Sequence, residues 1–144
     1  MKHKLLSAGD KATYALIFES GDEIVEIMKT FANEHSLKAS SFKAVGAFSE
    51  AVLGFFDYSI NDYKKIPVNE QVEVLSLLGD VALYGDESQV HIHVVLGREN
   101  GAAIGGHLLQ AKAHPTLEVI LEESPSYLQK RMDKETGLAL IVID

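Results

Sequence analysis

Apolar and polar positions alternate along most of this chain, and one segment breaks the period. Between Asp22 and His35, the residues Ile24, Val25, Ile27, Met28, Phe31 and Ala32 recur at the spacing of a single helical face. Glu23, Glu26, Lys29 and Asn33 are left for water. Ser20-Gly21-Asp22-Glu23 reads as a capping box, with Ser20 as N-cap and Glu23 at the third helical position. The pattern predicts a helix over 22–35.

The remaining apolar segments carry the two-residue period of strands. They cover 13–19, then 40–45 and 51–57 around the small pair Gly46-Ala47, then 71–78 and 81–84 around a Gly79-Asp80 turn. Segments 90–96 and 102–110 flank Asn100-Gly101, a strong hairpin signal, and 116–122 and 138–143 complete the set. The stretch 124–134 fits a short helix or a loop equally well. Many short strands with one long helix predict an α+β fold, a mainly antiparallel β-sheet packed against one major α-helix, in a single domain over 1–144.

Three of the six histidines stand where they can converge. His91 and His93 are two residues apart on an apolar strand, so their rings leave the same face. If the strands around Asn100 pair symmetrically, His107 faces His93 directly, with Cβ atoms roughly 4.5–5.5 Å apart. A slip of one residue would turn His107 to the other face. Gly105-Gly106 leaves room beside His107 for a ligand or for backbone. Three neutral imidazoles are a ligand set for zinc with an open fourth position; the alternative is a histidine pair simply facing solvent. Glu118, a carboxylate in an apolar strand, either needs a partner such as a metal-bound imidazole or is the outward residue of an amphipathic strand. Glu73 carries the same alternatives. His3, His35 and His114 read as structural or surface residues. The chain contains no phosphate-binding P-loop and no nucleophile elbow.

Composition narrows the function classes. A chain of 144 residues suits one domain with a proper core. Thirteen basic against 21 acidic residues leave a net charge of −8, which repels phosphate backbones. Cysteine is absent, so thiolate metal sites and cysteine nucleophiles are excluded. There is no apolar run long enough for a membrane span and no secretory h-region near Met1, so a cytoplasmic protein without membrane contact is expected.

With these pieces in order, the chain resembles the plant and prokaryote conserved (PPC, DUF296) domain family. The matching motifs include Phe42-Lys43-Ala44-Val45-Gly46-Ala47, Ala51 to Asp57, Tyr63-Lys64-Lys65 and Glu73 to Gly79. They continue with His91-Ile92-His93-Val94-Val95-Leu96, Gly105-Gly106-His107-Leu108-Leu109, Glu118-Val119-Ile120 and Thr136 to Leu140. The resemblance implies an α+β fold assembled as a homotrimer, with His91, His93 and His107 binding a metal, zinc in the first instance. Bacterial members are often labelled PD1-like DNA-binding proteins. Plant members contact DNA through a separate Arg-Gly-Arg-Pro hook, which this chain, with only Arg98 and Arg131, does not contain. The plant domain is associated with self-assembly and protein partners.

The leading expectation is therefore a trimeric zinc-binding module with a binding or regulatory role. A zinc-dependent small-molecule hydrolase or lyase with Glu118 as acid and base is the alternative. DNA binding through a concealed basic surface comes third. Nickel, cobalt and copper accept the same three imidazoles.

Overall fold

The computed structural model describes residues 1–9 and 11–143. In chain order the elements are β1 (Lys2–Ser7), β2 (Thr13–Glu19), α1 (Ile24–Glu34), β3 (Ala39–Asp57), β4 (Asp62–Val68) and β5 (Val72–Tyr84). β6 (Glu87–Gly97), β7 (Ala103–Glu123), β8 (Gln129–Met132) and β9 (Ala139–Val142) follow. The nine strands of the described residues join one sheet, in the order β1-β2-β7-β3-β5-β8-β9, with β4 on β3 and β6 between β5 and β7. Strands β3, β5, β6 and β7 thereby pair in a closed circuit. Every pairing is antiparallel except β5 with β8. Among the described residues the sheet dominates, and the helical part of the α+β expectation is one helix of 11 residues.

Helix α1 lies against β6 and β7. Its stripe of Ile24, Met28, Phe31 and Ala32 is buried together with Leu16, Phe18, Phe48, Leu53, Ile92 and Leu117 from the strands. Each such large side chain contributes about 1.5–3 kcal/mol on leaving water. The helix begins later than the capping-box reading places it. Glu23, not Ser20, is the N-cap, and its carboxylate accepts from the Glu26 N–H at 2.8 Å and the Ala111 N–H at 3.0 Å. The longer side chain caps the helix and ties it to β7 at once, while the Ser20 hydroxyl donates to the Pro115 carbonyl at 3.2 Å.

Three expected breaks are absent because the strands run through them. Gly46 (φ 149°) sits at register shifts between β3 and both β5 and β7, so it makes a bulge rather than a strand end. Gly79 lies inside β5: a Cβ there would fall 2.1 Å from Phe42 Cζ, and the missing side chain is the space that ring occupies. Pro115 lies within β7, where the pairing with β3 is interrupted, a place that tolerates a missing N–H. The undecided stretch 124–134 contains strand β8. Strands β1 and β4 were outside the expected set.

Candidate metal centre

Strand β6 buries Ile92, Val94 and Leu96 on one side and turns His91 and His93 to the other. The β6–β7 hairpin turns through the three residues 99–101, closed between Arg98 and Ala102, with Gly101 taking the left-handed position that such a loop requires. Gly101 has φ 81° and donates to the Arg98 carbonyl at 2.9 Å, and Asn100 Oδ1 accepts from the Ala102 N–H at 2.9 Å. That turn sets His93 opposite His107, the register expected from symmetry about Asn100. The glycines before His107 serve close backbone approach: a Cβ on Gly106 would lie 2.9 Å from the Gly54 carbonyl oxygen, and one on Gly105 2.8 Å from that of Val94.

The three imidazoles offer one nitrogen each within 4.8 Å of the others. His91 Nε2 and His93 Nε2 are 3.2 Å apart, with the rings nearly perpendicular at 85°. Two nitrogens bound to one tetrahedral zinc stand about 3.3 Å apart, given bonds of about 2.0–2.1 Å. The His107 ring stacks on Tyr63 at 4.7 Å and on His91 at 5.2 Å. Its Nδ1 is buried and has no hydrogen-bond partner among the described residues. A donor set of three neutral nitrogens, one pair already at co-ligand separation and one ring holding an orphaned nitrogen, fits a borderline-soft divalent ion.

Electrostatics favour the neutral form of His93 and His107. Burial, and then the neighbouring imidazoles and Lys130, push His107 down to about 4. Burial followed by the charge of His91 lowers His93, against a smaller opposing pull from Asp80. Behind His91 stands a carboxylate: Asp80 Oδ2 lies 3.2 Å from His91 Nδ1, and Asp80 Oδ1 lies 3.2 Å from Lys130 Nζ. Burial alone would raise Asp80, but the hydrogen bond from His91 and the charge of Lys130 outweigh it and hold the carboxyl below its ordinary range. An acceptor on Nδ1 fixes the His91 tautomer and leaves Nε2 free to ligate, the usual support for a metal-binding imidazole.

This arrangement has a pH signature in the metal-free protein. Unfolded, His107 protonates near its ordinary 6.5; folded, it resists until about 4. Its contribution to stability is intact above that upper value and is lost as pH falls towards the lower one. Water reaching the partly exposed ring softens the penalty, leaving a loss of about 2 kcal/mol. Urea unfolding of wild type and His107→Asn at about pH 7 and about pH 4.5 should show the variant losing less stability on acidification. Equal losses would contradict the burial argument.

Glu118 does not join the cluster. It is exposed far along β7 from His107, with Ile17 and Val45 as cross-strand neighbours, the outward residue of an amphipathic strand. Glu73 is likewise exposed, opposite Gly97. His3 and His35 pack around Phe31, with centroids 5.1 and 3.9 Å from its ring, and His114 Nδ1 meets the Ser20 hydroxyl at 3.2 Å. The residues that sequence reasoning missed are Asp80, Tyr63 in its stacking role, and Lys130. Counting back from the Gly85-Asp86 turn pairs Asp80 with His91, a signal hidden by reading Gly79-Asp80 itself as a turn. A cavity of about 420 Å³ opens beside the rings, lined by Tyr63, Asp80, His91, His107, Lys130 and residues 138–141. No helix among the described residues is long and apolar enough to cross a membrane.

The model of the Plants and Prokaryotes Conserved (PCC) domain matches residues 6–125. The chain belongs to this family. Among solved PCC-domain relatives, the plant- and prokaryote-conserved protein of Pyrococcus horikoshii is 29% identical, with a TM-score of 0.85 over 99% of this chain and 95% of that one. A metal-containing protein from Archaeoglobus fulgidus is 30% identical, with a TM-score of 0.83 over 99% of this chain and all of that one. A candidate DNA-binding protein from Bacteroides thetaiotaomicron, 24% identical with a TM-score of 0.87 over 97% and 96% of the two chains, shares the fold. A search of curated proteins finds no match.

Proposed function

We propose that this PCC-domain protein is a cytoplasmic, homotrimeric binding or regulatory module built around a divalent transition metal, zinc in the first instance, held by His91, His93 and His107. The observation that carries the reading is the separation of 3.2 Å between two imidazole nitrogens, with the half-buried His107 ring and its orphaned nitrogen beside them. A metal-containing relative 30% identical along the whole chain supports it. Zinc takes three histidines and keeps a fourth position open, where the ion acts as a Lewis acid or holds a water or an anion. Asp80 would hold the His91 ring in place, and Tyr63 would hold that of His107.

Assembly has support of its own. Val45, Leu75, Leu78, Val95 and Ile120 are all large apolar side chains left at least 36% exposed, and Leu78 stands directly opposite His93 in the sheet. An apolar surface that extends to the histidines suits a second and third copy of the chain. DNA is a poorer partner for a protein of net charge −8.

The cavity beside the rings favours, as a second reading, a zinc-dependent hydrolase or lyase acting on small molecules. That reading lacks its acid–base group, because Glu118 is remote and Asp80 is already engaged by His91 and Lys130.

Elemental analysis and light scattering on protein purified without chelators or affinity metal test the first reading. About one zinc per chain and a trimeric mass are expected, with the metal lost in a folded His91→Ala/His93→Ala double variant. Wild-type protein carrying no transition metal above background, and taking up none on addition, would overturn it.

A further inference from the structure

We propose that the cavity beside the histidines binds a small organic carboxylate, its anionic group on Lys130 and its apolar body against Val90, Leu138 and Leu140. This rests in part on the metal reading above, which supplies the positive end of the site. A lysine stands in this cavity where a lysine is costly. The Lys130 side chain is only 4% exposed, yet it lines the cavity. An ammonium has three donors, and among the described residues Lys130 Nζ has one partner, Asp80 Oδ1 at 3.2 Å. That carboxylate is shared, since its other oxygen faces His91 Nδ1. The remaining N–H donors find no acceptor among the described side chains and are left for the cavity that Lys130 lines.

An anion in the cavity supplies what is missing. With a divalent ion on three neutral imidazoles, Lys130 and Asp80 cancel and the ion's charge remains uncompensated, so the site as a whole is positive. The overall charge of −8 gives no long-range attraction for anions, and the local cations must do the selecting. A monoanion matches better than a phosphate dianion. One ammonium with a carboxylate at its side offers little to a second negative charge, and no arginine fork lines the cavity. The remaining lining includes Val90, Leu138 and Leu140, which suits an aliphatic body. The volume of about 420 Å³ falls at the small end of ligand pockets, which run from ~300 to 1,000 Å³.

Calorimetric titration of the full chain with butyrate, hexanoate, hexanamide and inorganic phosphate tests this, with metal content measured on the same samples. Hexanoate should bind at a single site per chain, hexanamide about tenfold to a hundredfold more weakly, and phosphate should not compete. Lys130→Met, and separately Lys130→Gln, should retain the metal and lose affinity for hexanoate by the same factor. Equal binding of hexanoate and hexanamide, no carboxylate binding to metal-loaded wild type, or unchanged hexanoate affinity in both Lys130 variants would overturn the proposal. The two readings fail separately. Metal-loaded protein that ignores carboxylates leaves the metal centre standing, whereas metal-free protein binding hexanoate through Lys130 leaves the anion site standing.

Discussion

Gly46→Ala should be among the most damaging single-atom-scale changes in this protein, costing about 3–5 kcal/mol. Two penalties coincide. At φ 149° an L side chain strains the backbone, typically by ~1–3 kcal/mol. In addition, the new Cβ would lie 2.3 Å from the Thr116 carbonyl oxygen and 2.8 Å from Leu117 Cα, both backbone atoms of β7 that cannot rotate away. The two long strands β3 and β7 would have to separate at the bulge that aligns them. Against a typical margin of ~5–15 kcal/mol this is a large fraction of the total stability, and the thermal midpoint should fall by about 10 °C or more. Gly85→Ala is the internal control, since that glycine also has positive φ (62°) but nothing within 4 Å of its missing Cβ. It should lose only about 1 kcal/mol. Denaturant unfolding of both variants reads the difference, and a Gly46 variant no worse than the Gly85 variant would mean that β7 does not press on the bulge.

Asp80→Ala should produce the other large effect, and on two properties at once. Removing the carboxylate leaves the Lys130 ammonium buried without its partner, a change that costs about 3–5 kcal/mol in fully buried pairs. Asp80 is itself 31% exposed, which lets water compensate in part and brings the expected loss to about 2–4 kcal/mol. The same change removes the acceptor on His91 Nδ1, so zinc affinity should fall about tenfold to a hundredfold. A second substitution separates the two roles. Asp80→Ala combined with Lys130→Met should recover most of the stability, because no uncompensated charge remains, while zinc affinity stays low. Unfolding curves and competition with a zinc chelator measure the two quantities. Recovery of metal affinity in the double variant would show that Asp80 acts through Lys130 and not through the His91 ring.

Both expectations involve residues that sequence pattern alone misassigned or passed over. Local pattern makes Gly46 and Gly79 ends of strands, the ordinary meaning of glycine beside a polar or small residue. Both lie inside strands. Gly46 absorbs a bulge demanded by two neighbouring strands, and Gly79 vacates space for the Phe42 ring, which comes from a segment far away in sequence. Joining the pieces of β5 placed Asp80 against His91, and the parallel pairing of β8 with β5 brought in Lys130.

The sequence by itself determined what local chemistry can encode. The 3.6-residue stripe specified α1 because burial on one face repeats with the helical turn. Alternation specified the strands, and Asn100-Gly101 specified a hairpin; the three-residue loop 99–101, closed between Arg98 and Ala102, then set the even register that puts His91, His93 and His107 on one side of the sheet. Only the tertiary structure decided how long the strands run, which residue caps the helix, and which groups surround the histidines. Those outcomes depend on contacts between segments dozens of residues apart, where a glycine's missing side chain or a lysine's buried ammonium takes its meaning from a neighbour that no local pattern names.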